Sequence, residues 1–442
     1  MQKPNEFASR RARFLKRMKA GIALVPAAPV AVRNNDVTYD YRQNSDFYYL
    51  TGFGEPESLL LLTTAHPRHV FVLFVRPRDR EREIWEGPRA GRGGAARMLG
   101  ADAAYPIGEL QERLPEYLAD AGRLFYRVGV DRELDDTVFR ALDRLRGRIR
   151  EGVSAPRVIV DPGLILHDLR LRKSAFEVEK MQKAADITRQ AFADAMRATR
   201  PGLYEYQVEA ELLRAFRTAG AEPAYGCVVA SGPNATILHY RENRRRMGRG
   251  DLLLIDAGAE RDYYASDVTR TFPVGGIFSG EQRALYEVVL DAQQAAIEKA
   301  GPGLSLKDVH DTAVKELVRG LIKLGLLKGR VETAVRTGAY RQFYMHRTSH
   351  FVGMDVHDVG DYYLERKPRP LRPGMVFTVE PGLYVARNAG VDSRWRGIGI
   401  RIEDDLLVTA GGCRNLTADI PKQASEIERL LRDRSRLTVR GR

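Results

Sequence analysis

The chain has 442 residues, 44% of them hydrophobic and 29% charged, with a net charge of +13. That length suits two domains, each with enough apolar material for a core, and no run of about eighteen apolar residues offers a membrane span. Cys227 and Cys413 are too few for a disulfide framework and too far apart for a zinc motif, so a reducing, cytoplasmic setting fits.

The first twenty residues carry bases but no apolar block with a small-residue cleavage site, which argues against a secretory signal and for a plain first helix. The Lys and Arg excess is spread along the chain. Its densest patches, 76–82 and 140–150, are interleaved with acids or sit on predicted helix faces, as on a solvated surface and unlike a nucleic-acid track. A buried strand is predicted at 22–25, and an aromatic-rich segment over 41–53 ends in a glycine turn. Residues 59–62 and 69–75 read as strands, the second running into a charged loop before Ile84 and Trp85. Helices follow over 110–121 and 136–148 around a strand at 124–130, an α/β alternation with no catalytic spacing.

Ser174 and Glu177 make a capping box for a long helix reaching about residue 199. The domain boundary is therefore placed at 172, giving domains 1–172 and 173–442. Beyond it a helix is predicted over 204–220 and strands near 225–230 and 236–240, followed by helices at 282–300 and 306–324 and strands at 375–380 and 397–403.

Within the second domain, 252–255 is a short aliphatic run that ends on Asp256. Residues 263–272 alternate in a β-favouring composition around Asp267, so the two halves read as neighbouring strands joined by a turn. A carboxylate placed directly after four aliphatic residues is costly to bury without a counter-charge, and a metal ion is one such counter-charge. The chain has eight histidines, and His346, His350 and His357 fall within twelve residues of one another. Glu380 ends an apolar strand as Asp256 does, and period two puts Arg401 and Glu403 on one strand face. One imidazole and four carboxylates at strand edges make an oxygen-dominated set, too acidic for one ion. Such a set favours manganese, with zinc or cobalt as alternatives. Two ions about 3.5 to 4 Å apart would support hydrolysis.

The pattern Asp256, Asp267, His350, Glu380 and Glu403 resembles that of the pita-bread metallopeptidases. The segment from His346 to Asp358 is similar to the signature of their proline-specific, aminopeptidase P branch, as is the aromatic stretch at 41–53. One departure is Arg347, where members often carry a small residue. The resemblance implies a mixed α/β (α+β) protein, with a smaller N-terminal α/β domain followed by a C-terminal pita-bread domain. By the same resemblance Asp256 and Asp267 chelate one metal, Asp267 and Glu403 bridge, and His350 and Glu380 complete the second site. Glu380 shuttles a proton, His239 contacts substrate, and His357 lies near the scissile amide. His346, Tyr384 and Arg401 are implied at pocket or ligand-orienting positions, and Asp36 and Trp85 at an active site reached across a subunit contact, in a homodimer or homotetramer. The implied activity removes an N-terminal residue that precedes proline. The alternatives are an Xaa-Pro dipeptidase (prolidase) and a non-catalytic pita-bread binding module. No nucleic-acid or membrane partner is implied.

Overall fold

The computed structural model describes residues 4–437. The chain divides into two compact units, Met1–Arg170 and Leu171–Arg442.

The first unit is built on a six-stranded sheet in the order Ala103–Pro106, Phe71–Val75, Leu59–Thr63, Ile22–Pro26, Arg123–Phe125, Val158–Val160. The three central strands pair antiparallel and the flanking ones parallel. Alternate residues share one sheet face. Ile22 and Leu24, Leu59 and Leu61, and Val72 and Phe74 accordingly cluster with Leu114 and Leu118 of one helix and Val138, Leu142 and Leu145 of another. Of those helices, Leu110–Leu118 lies within the predicted 110–121, Arg132–Arg146 starts four residues before the predicted 136–148, and the first helix runs Pro4–Met18.

Two segments of this unit depart from the sequence reading. The aromatic stretch contains a helix, Ser45–Thr51, capped where the Asn44 side chain accepts from the Phe47 N–H at 3.0 Å and closed by Gly52 in the left-handed region. Only glycine fits there, because a Cβ would lie 2.3 Å from the Phe7 ring. The charged loop before Ile84 is also helical, Arg80–Glu86, with Asp79 as its cap and no buried side chain. Its lack of apolar periodicity hid it from pattern reading, although an Asp cap followed by helix-forming Arg and Glu is a helix start.

In the second unit, helices Ala175–Ala198, Gly280–Lys299 and Leu306–Lys323 each open on a capping box, led by Ser174, Ser279 and Ser305. They pack, with Glu205–Thr218, around short antiparallel sheets. One has the order Val228–Ser231, Leu252–Asp256, Thr269–Pro273, and another Val376–Val379, Asp404–Thr409, Gly412–Asn415. Leu253, Ile255, Phe272, Leu285, Val289, Leu317, Ile400 and Ile402 belong to one continuous core.

Three expectations are corrected here. The stretch 263–272 is not one strand. Tyr264–Ala265 pairs with Ala259–Arg261 in a separate small sheet, Thr269–Pro273 pairs with Leu252–Asp256, and Asp267 sits in the break. The stretch 397–403 is likewise interrupted, with Ile398–Arg401 pairing Gly382–Val385 and Glu403 lying just before Asp404–Thr409. Residues 236–240 are not a strand, since Gly232–Thr236 is a 3-10 turn with Pro233 in its first positions. The buried Glu205 carboxylate holds that turn by accepting from Ser231 N–H and Oγ, Asn234 Nδ2, Tyr240 OH and the Arg245 N–H, all within 3.1 Å. A satisfied buried carboxylate outweighs local strand propensity.

Candidate metal centre and its cleft

A cleft of about 500 Å³ is lined by Asp256, Asp267, His350, Glu380 and Glu403 together with His239, His346, His357 and Arg401. Each of the four candidate carboxylates stands at a strand end or in a strand break, and His350 precedes the isolated bridge between Phe351 and Phe377. Asp256 is the last residue of Leu252–Asp256, Glu380 follows Val376–Val379, and Asp267 and Glu403 occupy the two breaks. Strand pairing therefore fixes the backbone at or within two residues of each carboxylate.

The carboxylates are held from several directions. Glu403 accepts from Thr269 Oγ1 at 2.6 Å, and the same hydroxyl accepts from Arg401 Nε at 3.0 Å. Asp256 accepts from Arg401 Nη2 at 2.5 Å and from the Tyr225 hydroxyl at 2.6 Å. The Tyr225 hydroxyl also contacts Asp267, whose backbone N–H donates to Asp405 Oδ2 at 2.9 Å. Glu380 is fixed through its N–H to the Thr348 carbonyl at 2.8 Å. His350 Nε2 lies 3.3 Å from Asp267 and 3.6 Å from Glu380, while its Nδ1 donates to the Phe351 carbonyl at 3.1 Å. That second bond sets the ring so that Nε2 points at the acids.

Electrostatically the centre is incomplete. Four carboxylates face two cations, Arg401 and His350. Burial pushes Glu380 up to about 7, against the pull of His350 and Arg401. Burial, then Asp267 and Glu380, pushes Glu403 well above the carboxylate range, and burial raises Asp256 as well. Burial opposes charging of His350, but the Asp267 carboxylate and Glu380 lift it to about 9. Burial and then the Asp256 and Asp267 charges raise Tyr225 well above its usual range, so it keeps its proton, and one proton cannot satisfy two anions. Such a set calls for further positive charge. Among the described residues, Asp267, His350 and Glu403 offer ligand atoms within 4.8 Å of one another, a spacing that one ion can span. The donors, oxygens with one imidazole, suit a divalent metal.

The remaining candidates are distributed unevenly. His357 stands edge-on to His350, with ring centroids 4.5 Å apart, and both His357 and His239 are solvent-exposed on the cleft. His346 bonds the Tyr384 hydroxyl at 2.9 Å, and Arg401 Nη1 donates to that hydroxyl at 3.1 Å, so these three form one buttress. Burial and then Arg401 drive His346 down to about 3, leaving it neutral. Asp36, in the exposed turn between Val32–Asn34 and Val37–Thr38, and Trp85, which is 88% exposed, belong to the first unit and do not line the cleft. The sequence reading passed over Tyr225, Thr269 and Asp405. Only Asp405 carried a signal, as the third of three consecutive acids entering an apolar strand.

Residues 179–410 match the model of metallopeptidase family M24, and residues 7–126 match the aminopeptidase P N-terminal domain. The chain belongs to metallopeptidase family M24. This M24 peptidase is 44% identical to the Xaa-Pro aminopeptidase of Escherichia coli strain K12, over 96% of its own length and 97% of the relative's. Its fold matches the aminopeptidase PepP of Pseudomonas aeruginosa with a TM-score of 0.96 at 47% identity, over 98% and 99% of the two chains. It also matches zinc-substituted E. coli aminopeptidase P in complex with product, with a TM-score of 0.95 at 44% identity over 98% and 99%. The architecture is thus a mixed α/β one, an aminopeptidase P-type N-terminal domain followed by an M24 pita-bread domain.

Proposed function

We propose that this M24 peptidase is a metal-dependent exopeptidase that releases the N-terminal residue from peptides with proline in the second position. The observation that carries this reading is the convergence of four carboxylates, Asp267 and Glu403 buried and Asp256 and Glu380 half-buried, and His350 on one cleft, in a chain that matches Xaa-Pro aminopeptidases along both domains.

We assign two divalent ions to the centre, manganese by preference, with zinc and cobalt as alternatives. Asp256 and Asp267 would hold one ion, His350 and Glu380 the other, and Asp267 and Glu403 would serve both. Two divalent charges offset the excess negative charge that burial makes costly. Bound there, the ions supply Lewis-acid polarisation of a carbonyl and acidify water.

The chain's own groups do the rest. The substrate's free α-amine would bind at the edge of the metal centre, at one end of the cleft, which favours exopeptidase action. Glu380 takes a proton from attacking water and returns it to the leaving amine. Burial, then His350, keeps His357 below the usual histidine range, so at neutral pH it is an uncharged donor for the carbonyl oxygen. His239, exposed on the same cleft, contacts the peptide. Arg401 directs its donors to Thr269, Tyr384 and Asp256, and so braces the ligands.

The first domain, taken here as 1–172, contributes Asp36 and Trp85 to the site of a neighbouring copy in a homodimer or homotetramer. Ile84 and Trp85, 81% and 88% exposed on a helix with no buried residue, supply an apolar face that a second copy would cover. Unpaired thiols at Cys227 and Cys413 suit a cytoplasmic setting.

The test is metal content and steady-state rate after chelation and after re-addition of manganese, zinc or cobalt. Chelation is expected to remove two ions per chain and all activity, and manganese to restore it. The tripeptide Ala-Pro-Ala is expected to exceed Ala-Pro in kcat/KM by at least about tenfold, roughly 1.4 kcal/mol. Equal rates would move the assignment to a dipeptidase.

A further inference from the structure

A second cavity of about 230 Å³ adjoins the cleft, and Arg347, Ser349 and Tyr362 line both. Three cations stand on its wall. Lys307 pairs with Asp311 and Arg369 with Asp361, whereas Arg347 has no carboxylate partner among the described residues. Next to it, the Ser349 hydroxyl is buried and makes no hydrogen bond among the described residues. A buried polar group left unpaired is a cost that a ligand can remove. Burial and then the Arg347 charge hold His310 at about 4, so this ring adds a polar edge but no charge to the cavity.

The charge pattern has a direction. Acids gather around Asp256, Asp267 and Glu403, and the unpaired guanidinium stands on the wall shared with the second cavity. A short peptide is a zwitterion with an ammonium at one end and a carboxylate at the other, and the Arg347 guanidinium offers that carboxylate an uncompensated positive charge. Arg347 is also close to the reacting centre. Its chain neighbour His346 lies 3.6 Å from Glu380, and so does His350. Peptide residues advance about 3.3–3.6 Å each, so the length of an arginine side chain spans the one or two positions beyond the scissile bond.

We propose that Arg347 and Ser349 form an anion-recognising subsite for a carboxylate carried by the leaving peptide at the residue after proline. Its ligand is either the C-terminal carboxylate of a tripeptide or an acidic side chain at that position in a longer one. The guanidinium donates two hydrogen bonds to the carboxylate in bidentate fashion and the serine hydroxyl donates a further one. The subsite rests on the peptidase reading above, and sets which Xaa-Pro peptides the enzyme prefers.

The experiment compares kcat/KM for Ala-Pro-Ala, Ala-Pro-Ala-amide and Ala-Pro-Asp-amide, with manganese-loaded wild type, Arg347→Gln, Arg347→Lys and Ser349→Ala. The expected result is an acid-to-amide ratio of about ten in the wild type. That ratio falls to near one in Arg347→Gln, is kept only in part in Arg347→Lys, which retains the charge but not the bidentate fork, and shrinks severalfold in Ser349→Ala. Preference for Ala-Pro-Ala alone identifies the C-terminal carboxylate as the ligand, and preference for Ala-Pro-Asp-amide as well identifies the side chain. A wild-type ratio of one for both anionic peptides overturns the subsite, as does an Arg347→Gln protein slowed by one factor on all three. A metal-loaded wild type that cleaves none of them overturns the peptidase reading, and the subsite with it.

Discussion

The rings of His350 and His357 meet edge to face, yet their surroundings divide their work. His350 faces Asp267 and Glu380 and has its other nitrogen tied to a carbonyl, so removing it opens the metal centre. His357 is exposed and meets no carboxylate within ion-pair distance among the described residues, so removing it takes one donor from the reaction and nothing from the ions. His357→Ala is therefore expected to lower kcat by roughly 10² to 10³ with normal metal content, as for loss of one oxyanion donor. His350→Ala is expected to lose metal. Elemental analysis beside steady-state rates separates the two, and equal metal loss in both variants would reverse the assignment.

The link between the Asp256 and Asp267 strands turns on Gly258. A Cβ at this residue would sit 1.8 Å from the Ser266 carbonyl oxygen, which is backbone and cannot swing aside. The close approach lets Ala257 N–H reach the Val268 carbonyl at 3.0 Å and Ser266 N–H reach that of Ala259 at 3.0 Å, bonds that flank Asp267. Gly258→Ala is expected to cost about 3 kcal/mol, the upper end for overpacking, and to weaken metal binding as Asp267 moves. Urea unfolding and metal titration would check it. The helix Gly163–Leu171 offers a comparable case in the first unit. Its Arg170, 3% exposed, donates to Asp46 at 2.9 Å, and His167 lies 3.4 Å from the same carboxylate. Burial opposes the charge on Asp46, but Arg170 and His167 outweigh it and hold this carboxyl well below the usual range. A carboxyl with a depressed folded value stabilises fully above its unfolded value of about 3.9 and loses that stability as pH falls through the folded value. Asp46→Asn, which removes the carboxylate charge beside Arg170, is expected to cost about 3 kcal/mol at neutral pH. The gap from wild type should hold down to about pH 4 and narrow below it, as thermal melts across pH would show.

Two units in one chain raise the question of what the first is for, since all five candidate ligands belong to the second. An α/β unit with a complete core of its own and an exposed Ile84–Trp85 pair is equipped for association more than for chemistry. Trp85→Glu is expected to shift the protein toward smaller species in light scattering and to lower kcat/KM on Xaa-Pro peptides at least several-fold. A variant that stays monomeric and fully active would refute the role.

Local pattern was enough for the capping boxes, for the aliphatic runs that became central strands, and for the acids that stop those runs. Each is a matter of a few neighbouring residues whose burial or caps show in composition and spacing. The interruptions at Asp267 and Glu403 could not be read that way, nor could the turn over 232–240. In each, a partner distant along the chain overrides strand propensity. Thr269 bonds Glu403 across 134 residues and Glu205 gathers Tyr240 across 35. The Tyr225 hydroxyl that joins two carboxylates, the Arg401 brace on Asp256 and the unpaired Arg347 beside a second cavity belong to the same class. Periodicity records that a face will be buried, whereas the polar groups awaiting a buried acid are named only when folding brings remote segments within hydrogen-bond reach.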